Sequence, residues 1–473
     1  MTDIPNRIAS VVPASVLLAQ PRSDWLERWA AVAAAQRGAV LPEVVIERAK
    51  LVLLDSIGVI AAGMQEPDVA TLVRRRAGPG DVPLIGSGTC TSPGEAAFLG
   101  GLAGTTLELD EGNQFARGHP AIHVVPALLA IGGDAAGAQL LTALVLGYEI
   151  GSRIGIASKL RVTMHPHGTW GTVGAAVAAA SLAGADAVGM ANAINLSAGL
   201  GIATSRRTML EGATVRNSFA GLSNQLGLLA WDMACAGITG EADAVATVFG
   251  GIVADDFSPD DMLADLGTRW EIARNYFKMH AACRYTHASL DVLHALVDEA
   301  GGAIPPDAIA QIEVDTYVWA AQLDAPEPKT MLAGKFSIPF ALATTIVHGE
   351  ATPAAFRQSA LDDRDILDLA ARVTVREDAA MTAALPAERP ARLAIHLKDG
   401  RVLRGETRVN RGDTEAPYSV DEIHAKFRRL AHPIWGEVVA NAIEAAVGRL
   451  DTTASCRALL DLLATPPLTQ EGE

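Results

Sequence analysis

A mainly α fold is what this sequence predicts: a large all-helical domain built from the N-terminal part and the C-terminal helices, carrying an inserted, smaller α+β lid. Three observations predict it. Up to about residue 266, apolar residues recur at helical spacing and little alternates with period two. After about residue 296 the period changes to two and a tight-turn signal appears. From Ser419 the helical period returns, so the chain is expected to rejoin the first domain. The expected boundaries are an N-terminal extension at 1–24, the helical domain at 25–280 and 410–473, and the lid at 281–409.

Taken in order, residues 8–19 form an apolar run, but Pro13 breaks it and Asp3 precedes it, so it makes a poor signal peptide. Residues 47–62 (ERAKLVLLDSIGVIAA) carry apolar side chains at helical positions, and 96–107 are small and apolar. Residues 126–157 are expected to break into two helices at Gly132-Gly133-Asp134. Helices are expected over 171–183, 191–201 and 218–236. The uncharged stretch 168–184 is mostly Ala, Gly, Thr and Val, which reads as a buried helix in a tight bundle rather than a membrane span. Residues 309–318 (IAQIEVDTYV) and 371–375 alternate as strands. Residues 392–409 read as a hairpin turning at Asp399-Gly400. Helices resume at 419 (SVDEIHAKFRRLA) and run to 463, and a polar tail starts at Pro466. There is no internal repeat.

At 473 residues the chain can bury large cores. Hydrophobic residues make up 49% and aromatics only 5%, so Ala, Leu and Val do the packing and favour helix. The formal charge of −16 argues against nucleic acid and anionic lipid as partners, and it means that an anionic substrate needs a locally basic site. Cys90, Cys235, Cys283 and Cys456 form no CxxC pair and read as reduced thiols, which with the missing export signal points to the cytoplasm.

Four segments carry candidate chemistry. Glu108-Leu109-Asp110-Glu111-Gly112-Asn113, followed by Gly118-His119-Pro120, gathers carboxylates, an amide and an imidazole ahead of an apolar helix. Met164-His165-Pro166-His167-Gly168-Thr169 precedes a Gly/Ala-rich helix whose first N–H groups favour an anion. Lys278 to His287, with Cys283 and Arg284, lies where the helical pattern gives way to the α+β pattern, a place where ligand sites form. Cys283 itself reads as a small buried hydrophobe. In the fourth, Glu211 to Arg216, Arg216 can clamp a carboxylate; Arg206 and Arg207 can do the same, but read first as a solvated pair.

These segments appear in the order LDSIGVIAAG, ELDEGN…GHP…VVPALLA, GYEIGSRI, HPHGTWGTVGAA, EGATVRNSFAG, CRYTHASLD and KFSIPFALA. The combination resembles the MmgE/PrpD family, which includes 2-methylcitrate dehydratase, cis-aconitate decarboxylase and iminodisuccinate epimerase. The resemblance covers nearly the whole chain after residue 25. It implies the helical domain and lid described above, an active site in the cleft between them, a homodimer, and no metal or other cofactor. By motif, Asp110 stands for the acidic residue of the family's DD-type segment, with Glu108 before it. His119, His165 and His287 are the family's three motif histidines, and Lys278 and Arg216 fall at basic positions. Four positions depart from the pattern: Asp110-Glu111-Gly112 replaces an Asp-Asp-Thr run, His167 a threonine, Arg216 a lysine and Phe340 a frequent tyrosine.

The resemblance implies a lyase acting on a small polycarboxylate, with 2-methylcitrate-like dehydration as the first expectation and epimerisation, isomerisation or decarboxylation as alternatives. In that mechanism His165 or His287 is the base, and His119 with Asp110 is the acid toward the leaving hydroxyl. Glu108, Asn113, His167, Arg216, Lys278 and Arg284 hold the substrate. Two other classes compete: a metal-dependent hydrolase ligated through His119/His123 and His165/His167, and a non-catalytic binding protein on the same scaffold.

Overall fold

The computed structural model describes residues 24–36 and 40–468. The apolar run at 8–19, the extension up to residue 23 and the last five residues of the polar tail lie outside the described residues. The chain is mostly helical with small sheets. The helices used below are α1 (Trp25–Ala35), α2 (Glu43–Met64), α3 (Pro93–Thr106), α4 (Val125–Ile131), α5 (Gly137–Ala157), α6 (Gly171–Leu182), α7 (Ala187–Ala198), α8 (Ser218–Cys235), α9 (Arg284–Glu299), α10 (Ile338–His348) and α11 (Val420–Gly448).

The Gly132-Gly133-Asp134 break separates α4 from α5 as expected. The helix expected at 191–201 starts earlier, because the Asp186 side chain accepts from the Gly189 N–H and caps α7. Ser419 and Glu422 form a capping box at the start of α11. α5 packs on α6, and α8 packs on both α3 and α6. Small residues set that closeness. A Cβ on Gly147 would lie 2.6 Å from the Gly174 carbonyl oxygen, so α5 and α6 touch backbone to backbone. α5 has the length and apolar character of a membrane span, and it is almost wholly buried inside the protein.

Buried apolar side chains form two main cores. The first runs from α1 through α8 and takes in Ile423, Phe427 and Ala431 of α11, so the C-terminal helices do rejoin the N-terminal bundle. The second lies between Ala281 and Leu397, and Val59, Leu107 and Leu109 of the first segment pack into it. It holds a four-stranded sheet of β1 (Ile309–Thr316), β2 (Val373–Glu377), β3 (Ala391–Leu397) and β4 (Val402–Thr407), in the spatial order β2-β1-β3-β4. β2 is parallel to β1, and the other pairs are antiparallel. α9 covers β3 and β4, and α10 packs on α9.

One expectation needs correction. The N-terminal part is not wholly helical: Val82–Leu84 pairs with Thr89–Thr91, and Ser158–Leu160 with Ala254–Phe257. Strands of three or four residues are too short for a period of two to show in the sequence.

Candidate active site

The site forms where α3 ends. Leu107 and Leu109 anchor the chain in the second core while Glu108, between them, takes a left-handed backbone conformation (φ 54°). A non-glycine residue held there is strained, and its carboxylate meets Arg216 and Lys278. The loop that follows is tied down at several points. Gly112 and Tyr276 exchange backbone hydrogen bonds of 3.0 and 2.7 Å. A Cβ on Gly112 would sit 2.4 Å from the Tyr276 hydroxyl, so only glycine fits. The Lys426 ammonium on α11 donates to the Leu109 carbonyl (2.7 Å) and to Asp55 on α2 (2.6 Å). Beneath the loop, Glu111 Oε1 accepts from the Ala121 N–H and Oε2 lies 3.0 Å from the Tyr148 hydroxyl. Burial nevertheless pushes its carboxyl up to about 8.

Four imidazoles gather beside this loop. The His167 ring centre lies 4.8 Å from His119, 4.9 Å from His165 and 5.0 Å from His123. Their hydrogen-bond partners assign different protonation patterns. His119 Nδ1 faces three acceptor oxygens, the Glu111 carbonyl at 2.8 Å, Asp110 Oδ2 at 3.0 Å and the Asp110 carbonyl at 3.3 Å, so Nδ1 carries the proton and the Nε2 lone pair is left open. The Asp110 carboxylate is poorly aligned for a hydrogen bond to that ring and acts mainly as a charge. Burial alone would raise the Asp110 pKa, but His119, Lys278 and Arg216 outweigh it and hold Asp110 below the usual carboxylate range. His165 is the reverse case. Its Nδ1 accepts from the His167 N–H (3.1 Å), which puts the proton on Nε2. Burial, reinforced by Arg216, keeps His165 and His167 neutral, and burial takes His123 down to about 3. Both ring nitrogens of His167 and of His123 are buried without a hydrogen-bond partner. Among the described residues, no three ligating side chains are placed to hold a metal ion.

The cations are unevenly neutralised. Arg216 pairs with Glu108 in a fully buried contact, and Lys278 lies 3.6 Å from Glu108 and 3.9 Å from Asp110. Arg284 donates to Asp413 (2.7 Å). By contrast, Arg117 bonds only carbonyls, those of Gly155 and Ser158, and Arg389 donates to the Gln114 carbonyl. Arg206 stacks on Trp319 at 4.4 Å, with Nε and Nη2 buried and unpartnered. These three arginines, with His119, His165, His167, Arg216, Arg284 and Cys283, line one small cavity of about 60 Å³. It is the locally basic site that an anionic ligand on so acidic a protein requires. Burial, then Glu108, pushes the Cys283 thiol up to about 11, so it stays a neutral wall residue.

Asp110 and Lys278 sit immediately behind that lining. Two candidates from the sequence lie elsewhere. Asn113 is fully buried, and its side chain closes the loop: Oδ1 accepts from the Phe115 and Ala116 N–H groups and Nδ2 donates to the Glu271 carbonyl. Asn113 does not line the cavity, so it is not placed to meet a substrate. His287 accepts at Nδ1 from Arg284 (3.0 Å) and donates from Nε2 to the Ala282 carbonyl (3.1 Å), so it holds Arg284 in place and has no free nitrogen with which to act as a base. The solvated-pair reading of Arg206 and Arg207 holds only for Arg207, which is exposed and paired with Glu211. Arg117, Arg389 and Tyr276 were not among the sequence candidates, and Arg206, able to clamp a carboxylate, reads from the sequence first as half of a solvated pair. Arg117 sits between two motifs and could have been noticed, whereas Arg389 arrives from a distant segment with no local signal.

The MmgE/PrpD N-terminal domain matches residues 27–260 and the C-terminal domain matches residues 280–452. A cis-aconitate decarboxylase-like protein of Aspergillus oryzae (strain ATCC 42149 / RIB 40) is 25% identical over 464 residues, covering 90% of this chain and 94% of its own. The cis-aconitate decarboxylase of Aspergillus terreus (strain NIH 2624 / FGSC A1156) is 24% identical over 462 residues, covering 90% and 93%. With both domains matched in order across nearly its whole length, the chain belongs to the MmgE/PrpD family and is an enzyme of the lyase class.

Proposed function

We propose that this protein is a cofactor-independent lyase that transfers a proton at a carbon next to a carboxylate of a small polycarboxylate, with dehydration as its reaction. The observation that carries this reading is the pair of opposed histidines. His119, with Nδ1–H held by the Glu111 carbonyl and the Asp110 carboxylate beside it, offers a bare Nε2 as base. The negative Asp110 stabilises the imidazolium that forms. His165 offers an Nε2–H to the carboxylate on which charge builds as the proton leaves. As the carbon–hydrogen electron pair becomes the double bond, hydroxide departs, and the proton held on His119 converts it to water. This exchanges the roles expected from the sequence: His119 is the base and His165 a donor. Arg117, Arg206 and Arg389 hold the carboxylates.

A second reading, decarboxylation, is favoured by the printed names of the relatives. In that case the carbon–carbon bond breaks, CO2 leaves, and a protonated His119 returns a proton to carbon. The same proposal takes residues 281–409 as a lid that excludes water, and the protein as a cytoplasmic homodimer. Proton NMR in D2O with citrate, 2-methylcitrate, cis-aconitate and amino-linked diacids tests it. Loss of an α-proton signal with a new vinylic signal supports dehydration, and loss of CO2 supports the second reading. Deuterium wash-in alone would point to epimerisation, and no change on any acid would overturn the proposal.

A further inference from the structure

The small cavity has a neighbour on its arginine side. It adjoins a second, much larger chamber of about 450 Å³, and the two share Arg117, Arg206, Arg389, Pro166 and Tyr285. Those three arginines are the ones without a carboxylate partner, so the free positive charge sits at the neck between the chambers. The inner chamber beyond the neck holds the histidines. The outer one has a different character: its walls include Phe115, Ile156, Leu160, Val162, Trp319 and Leu385.

A passage that served only to admit a polyanion gains nothing from apolar walls, whereas a ligand pocket is lined mainly by apolar and aromatic side chains with a few placed polar groups. Trp319 also supports the neck, since its ring carries the unpartnered Arg206 guanidinium. The order along the path is therefore acid–base chemistry, then free cations, then an apolar chamber. A ligand that matches it has carboxylates at its reacting end and an uncharged, apolar substituent behind them.

We propose that the outer chamber is a specificity subsite, and that the preferred substrate class is a polycarboxylate carrying an alkyl or similarly apolar substituent longer than methyl. This rests on the polycarboxylate reading above and deepens it.

The test uses inert probes, so it does not depend on turnover: 2-alkylsuccinates from methyl to hexyl, titrated calorimetrically into the intact protein. Each added methylene buried in the chamber is expected to tighten binding about 3- to 4-fold until the space is full. Affinity that stays flat from methyl to hexyl would overturn the subsite while leaving the polycarboxylate reading intact. Failure of every member to bind would overturn both. Ile156→Trp should fill the chamber and bring hexylsuccinate down to the affinity of methylsuccinate without changing the latter. Val162→Trp provides the same check at a position that is 65% exposed, where the fold tolerates the larger ring. Unchanged hexylsuccinate binding in both variants would also overturn the proposal.

Discussion

Two histidines with the same surroundings in sequence terms, each next to a proline, differ through one hydrogen bond apiece. His119 Nδ1 meets a carbonyl and His165 Nδ1 meets an N–H, and in the proposed mechanism this alone makes one ring a base and the other a donor. His119→Asn should therefore lower kcat by about 10²- to 10⁴-fold while leaving the Kd of an inert diacid nearly unchanged. An unaltered kcat would remove His119 from the chemistry. At position 165 an amide nitrogen can replace Nε2–H, so His165→Gln should retain more activity than His165→Ala; equal loss in both would mean that the donor is not used. Glu111 makes a prediction about stability. Its folded pKa, near 8, lies above the value of about 4.3 for an unfolded glutamate, so the native state keeps a proton that the unfolded chain releases. The stability linked to that proton is complete below about pH 4 and is lost as pH rises toward 8. Melting temperatures of the native protein should accordingly fall between pH 5 and pH 8, and Glu111→Gln should flatten that slope; an unchanged slope would show the carboxyl to be ionised throughout. These tautomers were not legible in the sequence, because Glu111 O, Asp110 Oδ2 and the His167 N–H are set by loop geometry rather than by residue type.

At the scale of elements, the long helices were readable because each carries enough periods to define a face, and the Asp399-Gly400 turn was readable because Gly400 takes φ 92°. The short ladders were not. The site residues that were found lie in contiguous motifs, and those that were missed, such as Arg389, arrive on elements far along the chain. α11 shows how such an element is held. Lys426 is 2% exposed and Asp55 is 1% exposed, and they neutralise each other between α11 and α2. Burial raises the Asp55 pKa and lowers that of Lys426, so each depends on the other's charge. Removing one partner leaves a buried charge alone, and Lys426→Met should cost about 3–5 kcal/mol by urea denaturation. The double variant Asp55→Leu/Lys426→Met should recover much of that loss, and a strictly additive result would deny the coupling.

For the whole molecule, the site sits at the seam of two cores, and the chain crosses that seam at Leu107, Leu109 and Met209. The shared side chains imply that the cores unfold together. Urea denaturation should give one transition both by far-ultraviolet circular dichroism and by tryptophan fluorescence, with Trp25, Trp29 and Trp170 reporting the first core and Trp319 the second. Two separated midpoints would show the seam to be weak. The contact between Lys426 and the Leu109 carbonyl has a consequence for how the protein is made. The catalytic loop lies in the first quarter of the chain, but the ammonium that fixes it is encoded near the end. A nascent chain can pack its early helices as they leave the ribosome, yet Asp55 and the loop above it stay without their cation until α11 is translated. The enzyme therefore cannot acquire its acid–base geometry piecemeal during synthesis, and a chain released early is a bundle with an unfinished centre.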